Sequence, residues 1–341
     1  MKAAIYNPYL DTLGGGEKYT IEFARALLKL GYEVDIEWSD TTILGKLDIR
    51  FGKNFTKGLN LVTDINRGKD YDLCFWVSDG SVPTLNSRKN ILHFQVPFTN
   101  VNGKSLLNKM KLFRVDHIVC NSNFTKSVID SEFGVNSTVI YPPIDTKSFV
   151  SKRKENIILY VGRFSKLLQS KGQEHLVGAF KKFFDSGQKG WKLILAGGVE
   201  TGTDSLAALK KDVVGYPIEI IESPNFEKIK DLFAKAKIFW SASGYTVNEI
   251  KNPEKVEHFG MTVVESMSAG CVPIGVNAGG HKEIIDNGQN GFLWHNVDEL
   301  IEDTQKLIKT KGMQLKLSTA AKLKSKKFDT KSFQENIKKI I

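Results

Sequence analysis

Twice along this chain, short and nearly continuous apolar runs alternate with amphipathic helices. The first series of predicted strands is Ala3–Tyr6, Glu33–Trp38, Leu73–Val77, Asn90–Phe94, His117–Asn121 and Thr138–Ile140, with helices over Gly16–Leu30, Ser105–Phe113 and Phe124–Phe133. Strands that are apolar on both faces must be covered on both, and intervening helices supply that cover in a parallel sheet. The rhythm breaks at "YPPIDTKSFVSKRKEN", where two prolines and a charged run carry no periodicity. It resumes with strands at Ile157–Val161, Lys192–Ala196, Glu219–Ile221, Ile238–Ser241, Val272–Val276 and Gly291–Trp294, and with helices including Gln173–Phe184, Phe226–Lys235 and Thr262–Ala269. The expected fold class is therefore α/β, with two Rossmann-like doubly wound domains facing an interdomain cleft. Residues 1–143 would form the first, residues 144–322 the second, and residues 323–341 a C-terminal helix packing back toward the first. Ligands would bind at the carboxyl ends of the strands.

The first strand runs straight into "NPYLDTLGGGEKYT". Glycines between a strand and a helix let backbone approach a ligand, most often a phosphate. Two familiar phosphate loops fail on spacing. A P-loop needs G-x-x-x-x-G-K-[ST], and here Lys18 follows Gly14 by four residues and is followed by Tyr19. The dinucleotide fingerprint G-x-G-x-x-G finds Gly14 and Gly16 but Tyr19 in place of its third glycine. The residues alone leave open a tight turn or some other phosphate.

Composition narrows the classes. The chain has 341 residues, 41% of them hydrophobic and 25% charged, as in soluble globular proteins. No run approaches the ~18 apolar residues of a membrane span, and "MKAAIYNPY" turns polar too soon for a signal peptide. Cys74, Cys120 and Cys271 lie far apart, which suits reduced thiols in a cytoplasmic protein and makes the N-x-[ST] matches at Asn54, Asn123 and Asn136 chance. The net charge of +10 is uneven: the first 150 residues carry 18 Lys/Arg against 16 Asp/Glu, the remainder 30 against 22. Much of the excess lies from Lys306 onward, in what reads as a lysine-rich pair of helices. A solvated helix face or attraction to an acidic membrane surface would explain it; without interleaved aromatics, nucleic acid is not expected.

Two stretches of the second half carry chemistry. In "LYVGRFSKLLQSKGQEHLVGAF" a strand ends at Val161, Gly162 and Arg163 follow, and Lys171-Gly172 opens a helix. Both cations then stand at the carboxyl end of that domain's first strand, suited to a pyrophosphate or simply exposed to solvent. In "EKVEHFGMTVVESMSAGCVPIGV", seven residues separate Glu257 from Glu265, and a helix starting near Gly260 would aim backbone N–H groups at an anion. Thr262-x-x-Glu265 also reads as a capping box, which would give Glu265 a structural role but leaves Glu257 unexplained. "KDYDL" contains Asp70-x-Asp72 ahead of its strand, at the wrong end of the sheet for ligands, and the cysteines have no ligand spacing, so no metal is assigned.

Taken in order, "GGGEKYT", "NSNFTKSVI", "YPPID", G-R-F with S-K-G, E-x7-E, "VNAGGHKEII" and "NGQNGFLW" resemble the retaining GT-B glycosyltransferases of family 4 along nearly the whole chain. The resemblance implies a hexosyltransferase of cell-envelope polysaccharide biosynthesis, moving a sugar from a nucleotide-sugar to a glycan or polyprenyl-linked acceptor. GDP-mannose is favoured because "GGGEKYT" is similar to the glycine loop of mannosyltransferases that build lipid-linked oligosaccharides, with a UDP-sugar next. No other cofactor and no metal are implied. By the same resemblance Gly15 and Gly16 approach the donor, Arg163 and Lys171 offset its pyrophosphate, and Glu265 takes the ribose hydroxyls. Glu257 holds sugar hydroxyls, with Phe259, Gly260, Met261 and Thr262 close to sugar and phosphate.

One departure matters. Many members show H-x-H-x-P after a mid-domain strand; here "HFQVP" keeps His93 and puts Gln95 in place of the second histidine. Either Gln95 positions the sugar or His93 has taken over beside the reaction centre. Two other readings are weighed: an epimerase of the same fold, whose ring of carboxylates is not found in the first domain, and a non-catalytic nucleotide-sugar-binding partner, which Arg163, Lys171 and Glu265 argue against. "KSLLNKMKLFRVD" places Lys104, Lys109, Lys111 and Arg114 among Leu106, Leu107, Met110, Leu112 and Phe113. That pattern fits an interfacial helix on an anionic membrane, hence a peripheral place on its inner face, and equally a helix facing its own core.

Overall fold

A computed structural model describes residues 1–164, 169–199 and 204–341, with the side chains of residues 204 and 205 left aside. The chain divides into two compact units, Met1–Pro143 with Thr330–Ile341, and Ile144–Asp329. In the first, the elements are β1 (Lys2–Tyr6), α1 (Gly15–Lys29), β2 (Glu33–Glu37), α2 (Ile43–Phe51), β3 (Leu59–Val62), β4 (Leu73–Val77), β5 (Lys89–Phe94), α3 (Leu106–Leu112), β6 (His117–Cys120), α4 (Asn123–Phe133) and β7 (Thr138–Val139). In the second they are β8 (Glu155–Val161), α5 (Gln173–Asp185), β9 (Lys192–Gly197), α6 (Asp204–Asp212), β10 (Ile218–Glu222), α7 (Phe226–Lys235), β11 (Ala236–Ser241), α8 (Met261–Ser268), β12 (Val272–Val276), α9 (His281–Ile284), β13 (Phe292–Trp294), α10 (Val297–Lys309) and α11 (Met313–Ser325). Helix α12 (Thr330–Ile340) belongs to the first unit.

Among the described residues the first unit holds a seven-stranded sheet ordered β3-β2-β1-β4-β5-β6-β7 and the second a six-stranded sheet ordered β10-β9-β8-β11-β12-β13. Every pairing in both is parallel. This is the expected α/β class, two doubly wound sheets of the GT-B kind. In each sheet the chain first builds outward on one side of its opening strand and then returns to the other side. The points of reversal lie between β1 and β4 and between β8 and β11, where such sheets leave a crevice at their carboxyl edge.

The reading missed β3 and α2. β3 is four residues long with only Leu59 buried, and α2 buries only Ile43 and Leu47, so neither carries a long enough period to stand out. The domain boundary at residue 322 is also corrected. Helix α11 runs through that position and stays in the second unit: Leu317 and Ala321 are buried, Ser318 Oγ donates to the Gly270 carbonyl at 2.8 Å, and Lys324 pairs with Asp286 at 2.8 Å. The return to the first unit begins at Thr330. There α12 sinks Phe333, Ile337 and Ile340 into the core that holds Ile5, Phe23 and Phe75. Each such side chain contributes about 1.5–3 kcal/mol when fully buried, so α12 is an integral part of that core.

Candidate active site

In the second unit, the strand order puts Gly162 and Arg163, which follow β8, beside Ala242, which follows β11. Gly172, the residue before α5, lies against Ala242: a Cβ there would come within 2.9 Å of the Ala242 carbonyl oxygen, and its φ of +65° is left-handed. Only glycine brings the opening of α5 this close to the neighbouring strand end. Gln173 then donates through Nε2 to the Arg163 carbonyl at 2.7 Å. Among the described residues no acid pairs with the Arg163 guanidinium, and its buried Nε has no partner.

Lys171, the next cation, is held on two sides. Its Nζ donates to Glu257 Oε2 at 2.8 Å and to Gln169 Oε1 at 2.9 Å, with the Lys171 and Glu257 side chains 14% and 20% exposed. Burial opposes ionisation of Glu257, but the ammonium beside it outweighs that cost and draws the carboxyl down from 4.5 to about 2. Gln169 continues the chain of contacts: its Nε2 donates to the Val256 carbonyl at 2.7 Å and lies 2.8 Å from His258 Nε2. One donor of Lys171 and the Oε1 of Glu257 remain without a partner among the described residues.

The backbone around Glu257 is clamped by two glycines. The Gly280 N–H donates to the Glu257 carbonyl at 2.7 Å, and a Cβ on Gly280 would lie 2.4 Å from the Cα of Phe259. A Cβ on Gly279 would lie 2.2 Å from the Glu257 carbonyl oxygen, while its N–H donates to Glu249 Oε2 at 2.7 Å. Beneath them His281 is fully buried. A carbonyl only accepts, so the 3.1 Å contact with Val276 O fixes the ring proton on Nδ1, leaving Nε2 to accept from Ser241 Oγ at 3.0 Å. Burial pushes the His281 pKa down, which keeps the ring neutral.

Helix α8 is capped by Gly260 in a left-handed conformation (φ +109°), with no side-chain cap. Thr262 is therefore the second helical residue and Glu265 lies beyond the first turn, so the expected capping box does not form. Glu265 is 8% exposed. The first-turn N–H groups of Met261 and Thr262 have no acceptor within their own helix, which leaves a partial positive charge at this end.

In the first unit, Gly14 caps α1 and Glu17 accepts from the Gly14 N–H at 2.7 Å and from Thr12 Oγ1 at 2.8 Å. Gly15 opens the helix. Gly16 lies under the side chain of Gln95, whose Oε1 would be 2.2 Å from any Cβ placed there; that oxygen is buried with no partner among the described residues. The glycines thus serve a close approach between the helix start and the residue following β5. His93 stands elsewhere. Its ring is 0% exposed, stacked on Tyr19 with centroids 4.2 Å apart, and its Nδ1 donates to the Val119 carbonyl at 3.1 Å. Burial drives its pKa from 6.5 to about 3. Of the two alternatives, this environment disfavours His93 as the group beside the reaction centre: the ring is fully buried and neutral, and its single proton, on Nδ1, is held by the Val119 carbonyl.

The structure thus gathers Arg163, Lys171, Glu257 and the start of α8 with Glu265 in one unit, and Gly15, Gly16 and Gln95 in the other. Gln169, Glu249, Gly279, Gly280 and His281 went unassigned in the sequence. The paired glycines of "NAGGH" were the available signal for three of them; a glutamine and a glutamate in loops carry no spacing rule.

A family model described as "Glycosyl transferases group 1" matches residues 143–324. The chain is 24% identical over 237 residues to a GDP-Man:Man(3)GlcNAc(2)-PP-Dol alpha-1,2-mannosyltransferase of Dictyostelium discoideum, which covers 64% of this chain and 45% of that protein. The chain spans about half the length of the curated mannosyltransferases it matches first. Among solved structures, a glycosyltransferase from Rickettsia africae superposes with a TM-score of 0.78 at 19% identity, covering 99% of this chain and 98% of that one. The Anabaena protein HepE in complex with UDP-glucose gives a TM-score of 0.74 at 17% identity, covering 99% and 98%.

Proposed function

Because this chain belongs to the glycosyl transferases group 1 family, we propose that it moves a hexose from a nucleotide-sugar to a glycan or lipid-linked acceptor, with retention of the anomeric configuration. The observation that carries the reading is the half-buried Arg163, which pairs with no acid among the described residues, at the same carboxyl edge of the second sheet as the Lys171–Glu257 pair. A diphosphate answers that arrangement: two cations and the start of α8 offset the charge that grows as it leaves. Lys171 already gives two donors to Glu257 and Gln169, and its third is left for a phosphate oxygen. Glu257, ionised throughout the neutral range, keeps Oε1 for sugar hydroxyls. Glu265 would accept from the ribose hydroxyls.

GDP-mannose is the favoured donor, supported by the GDP-mannose-dependent Dictyostelium relative; a UDP-sugar is the alternative, supported by the UDP-glucose bound to HepE. No step needs a covalent glycosyl-enzyme. The bond between C1 and the diphosphate oxygen breaks, the acceptor oxygen bonds C1 on the same face, and the acceptor proton passes to a diphosphate oxygen. A carboxylate nucleophile would have to come from Glu257 or Glu265, and both are committed to hydroxyl groups. Gln95 positions the sugar or acceptor by hydrogen bonding, through the amide oxygen that has no partner among the described residues. Charge compensation by Arg163 and Lys171 makes a metal unnecessary. The chain would work in the cytoplasm, in contact with the membrane where a lipid-linked acceptor requires it. A donor screen read by release of GDP or UDP tests the proposal; turnover of no nucleotide-sugar in the presence of varied glycan and lipid acceptors would overturn it.

A further inference from the structure

Helix α3 shows its apolar side to solvent. Leu106, Leu107, Met110 and Phe113 are 76%, 62%, 65% and 93% exposed. Spaced at i, i+1, i+4 and i+7, they form one stripe along the helix. The opposite side attaches the helix to its own unit through Leu112, which packs on the cluster of Phe94, Ile129 and Phe133. An ordinary surface helix is turned the other way round. So large an apolar stripe on a soluble surface marks a contact with something else.

The charges around the stripe say what. Lys104 and Lys109 are exposed, Lys111 is half-buried, and among the described residues none of the three pairs with an acid. The nearby acid Glu132 is turned inward, accepting from the backbone N–H groups of Asn100, Val101 and Gly103 at 3.2, 3.0 and 3.3 Å. Those bonds also fix the loop from which α3 starts, and Ser105 caps the helix through Asn108 N at 3.3 Å. The stripe is therefore held in place before any partner arrives. The lysine-rich tail has no comparable stripe: α12 buries its apolar face, and α11 exposes only Leu315 and Leu323, two turns apart.

We propose that α3 docks on an anionic lipid surface, its apolar stripe entering the interface and Lys104, Lys109 and Lys111 meeting the headgroups. Apolar insertion and headgroup attraction add in such a contact, each Lys near a charged bilayer contributing roughly fivefold in binding. A second protein copy would bring three more unpaired lysines to the same face, whereas an anionic bilayer complements them.

The test is co-sedimentation of the full chain with vesicles of phosphatidylcholine alone or with 30% phosphatidylglycerol, a composition chosen for about −30 mV or more of surface potential. No donor or acceptor is added, so the result does not depend on the proposed activity. Binding is expected to the anionic vesicles only, falling steeply between low and physiological salt. Phe113→Ser with Met110→Ser should weaken it about tenfold or more, as should Lys109→Glu with Lys111→Glu. Neither pair should move the melting temperature, since the apolar side chains face water. Failure to bind anionic vesicles at low salt, or undiminished binding by either variant, would overturn the proposal. So would concentration-dependent dimers in lipid-free sedimentation velocity that Phe113→Ser abolishes, which would assign the stripe to a second copy.

Discussion

At the carboxyl edge of the first sheet, a helix starts on three glycines under the neutral amide of Gln95, with His93 sealed in the core as an uncharged ring. At the same edge of the second sheet stand a lysine–glutamate pair and an arginine that meets no acid among the described residues, and a helix starts on a lone left-handed glycine. The two sheets follow the same winding rule, and each puts its special residues at its reversal point. Winding settles where a ligand goes and leaves open which chemistry waits there. The charged edge suits a diphosphate and the neutral one suits hydroxyl groups. On the proposed function, the charged edge would take the donor diphosphate with the hydroxyls held by Glu257 and Glu265, and the neutral edge would add the Gln95 amide for sugar or acceptor hydroxyls.

The largest expected effect comes from stripping charge from the second edge. Arg163→Ala and Lys171→Ala should each lower turnover by about 10²-fold or more, because each removes a cation from a departing diphosphate. Gln95→Ala, at the neutral edge, should cost less, about tenfold, as loss of a neutral hydrogen bond would. Steady-state kinetics on the three variants decide it. Near-normal turnover in both cation variants would return Arg163 and Lys171 to ordinary surface charge.

A smaller effect separates binding from stability within the charged edge. Glu265→Gln should weaken binding of the free nucleoside diphosphate roughly tenfold with little change in melting temperature, since Glu265 is not part of a helix cap. Calorimetric titration together with a thermal melt measures both. Unchanged affinity would remove Glu265 from the ribose site.

The smallest effect concerns pH: both groups are shifted downward, but in different windows. His93 is held at about 3 against an ordinary 6.5, so the unfolded chain takes up a proton below 6.5 that the folded chain refuses. Its contribution to stability is full above 6.5 and declines as pH falls toward about 3. Glu257 is held at about 2 against 4.5, so its contribution is full above 4.5 and declines as pH falls through about 2. His93→Phe should therefore flatten the fall of stability between pH ~6.5 and ~3.5 by up to ~1.4 kcal/mol per pH unit. Lys171→Met should raise the Glu257 pKa, because burial is then opposed by no ammonium, and so reduce that group's contribution above pH 4.5. Denaturant unfolding across pH checks this, and an unchanged slope in His93→Phe would mean the ring is protonated in the folded state.

The same contrast explains what could be read before the structure. Strands with continuous apolar runs, such as "LCFWV" at β4 and "VPIGV" at β12, announce themselves because burial on both faces leaves no polar interruption. Arg163, Lys171 and Glu257 were legible because charge at a strand end is conspicuous. What escaped was set by contact rather than composition. Gly260 caps α8 without a side chain, so Thr262 and Glu265 imitated a capping box two residues too late. Gln169 joins Lys171 to the backbone at Val256 across 87 residues of chain, and no local spacing foretells that. In α3 the apolar period is plain, but a period cannot say which side faces water.

The central claim, direct transfer within a charged edge that needs neither covalent intermediate nor metal, is tested most directly by NMR of the product's anomeric carbon after turnover of an α-linked nucleotide-sugar in excess chelator. The account predicts an α-linked product formed at an undiminished rate. A β-linked product, or loss of transfer on chelation, would contradict it.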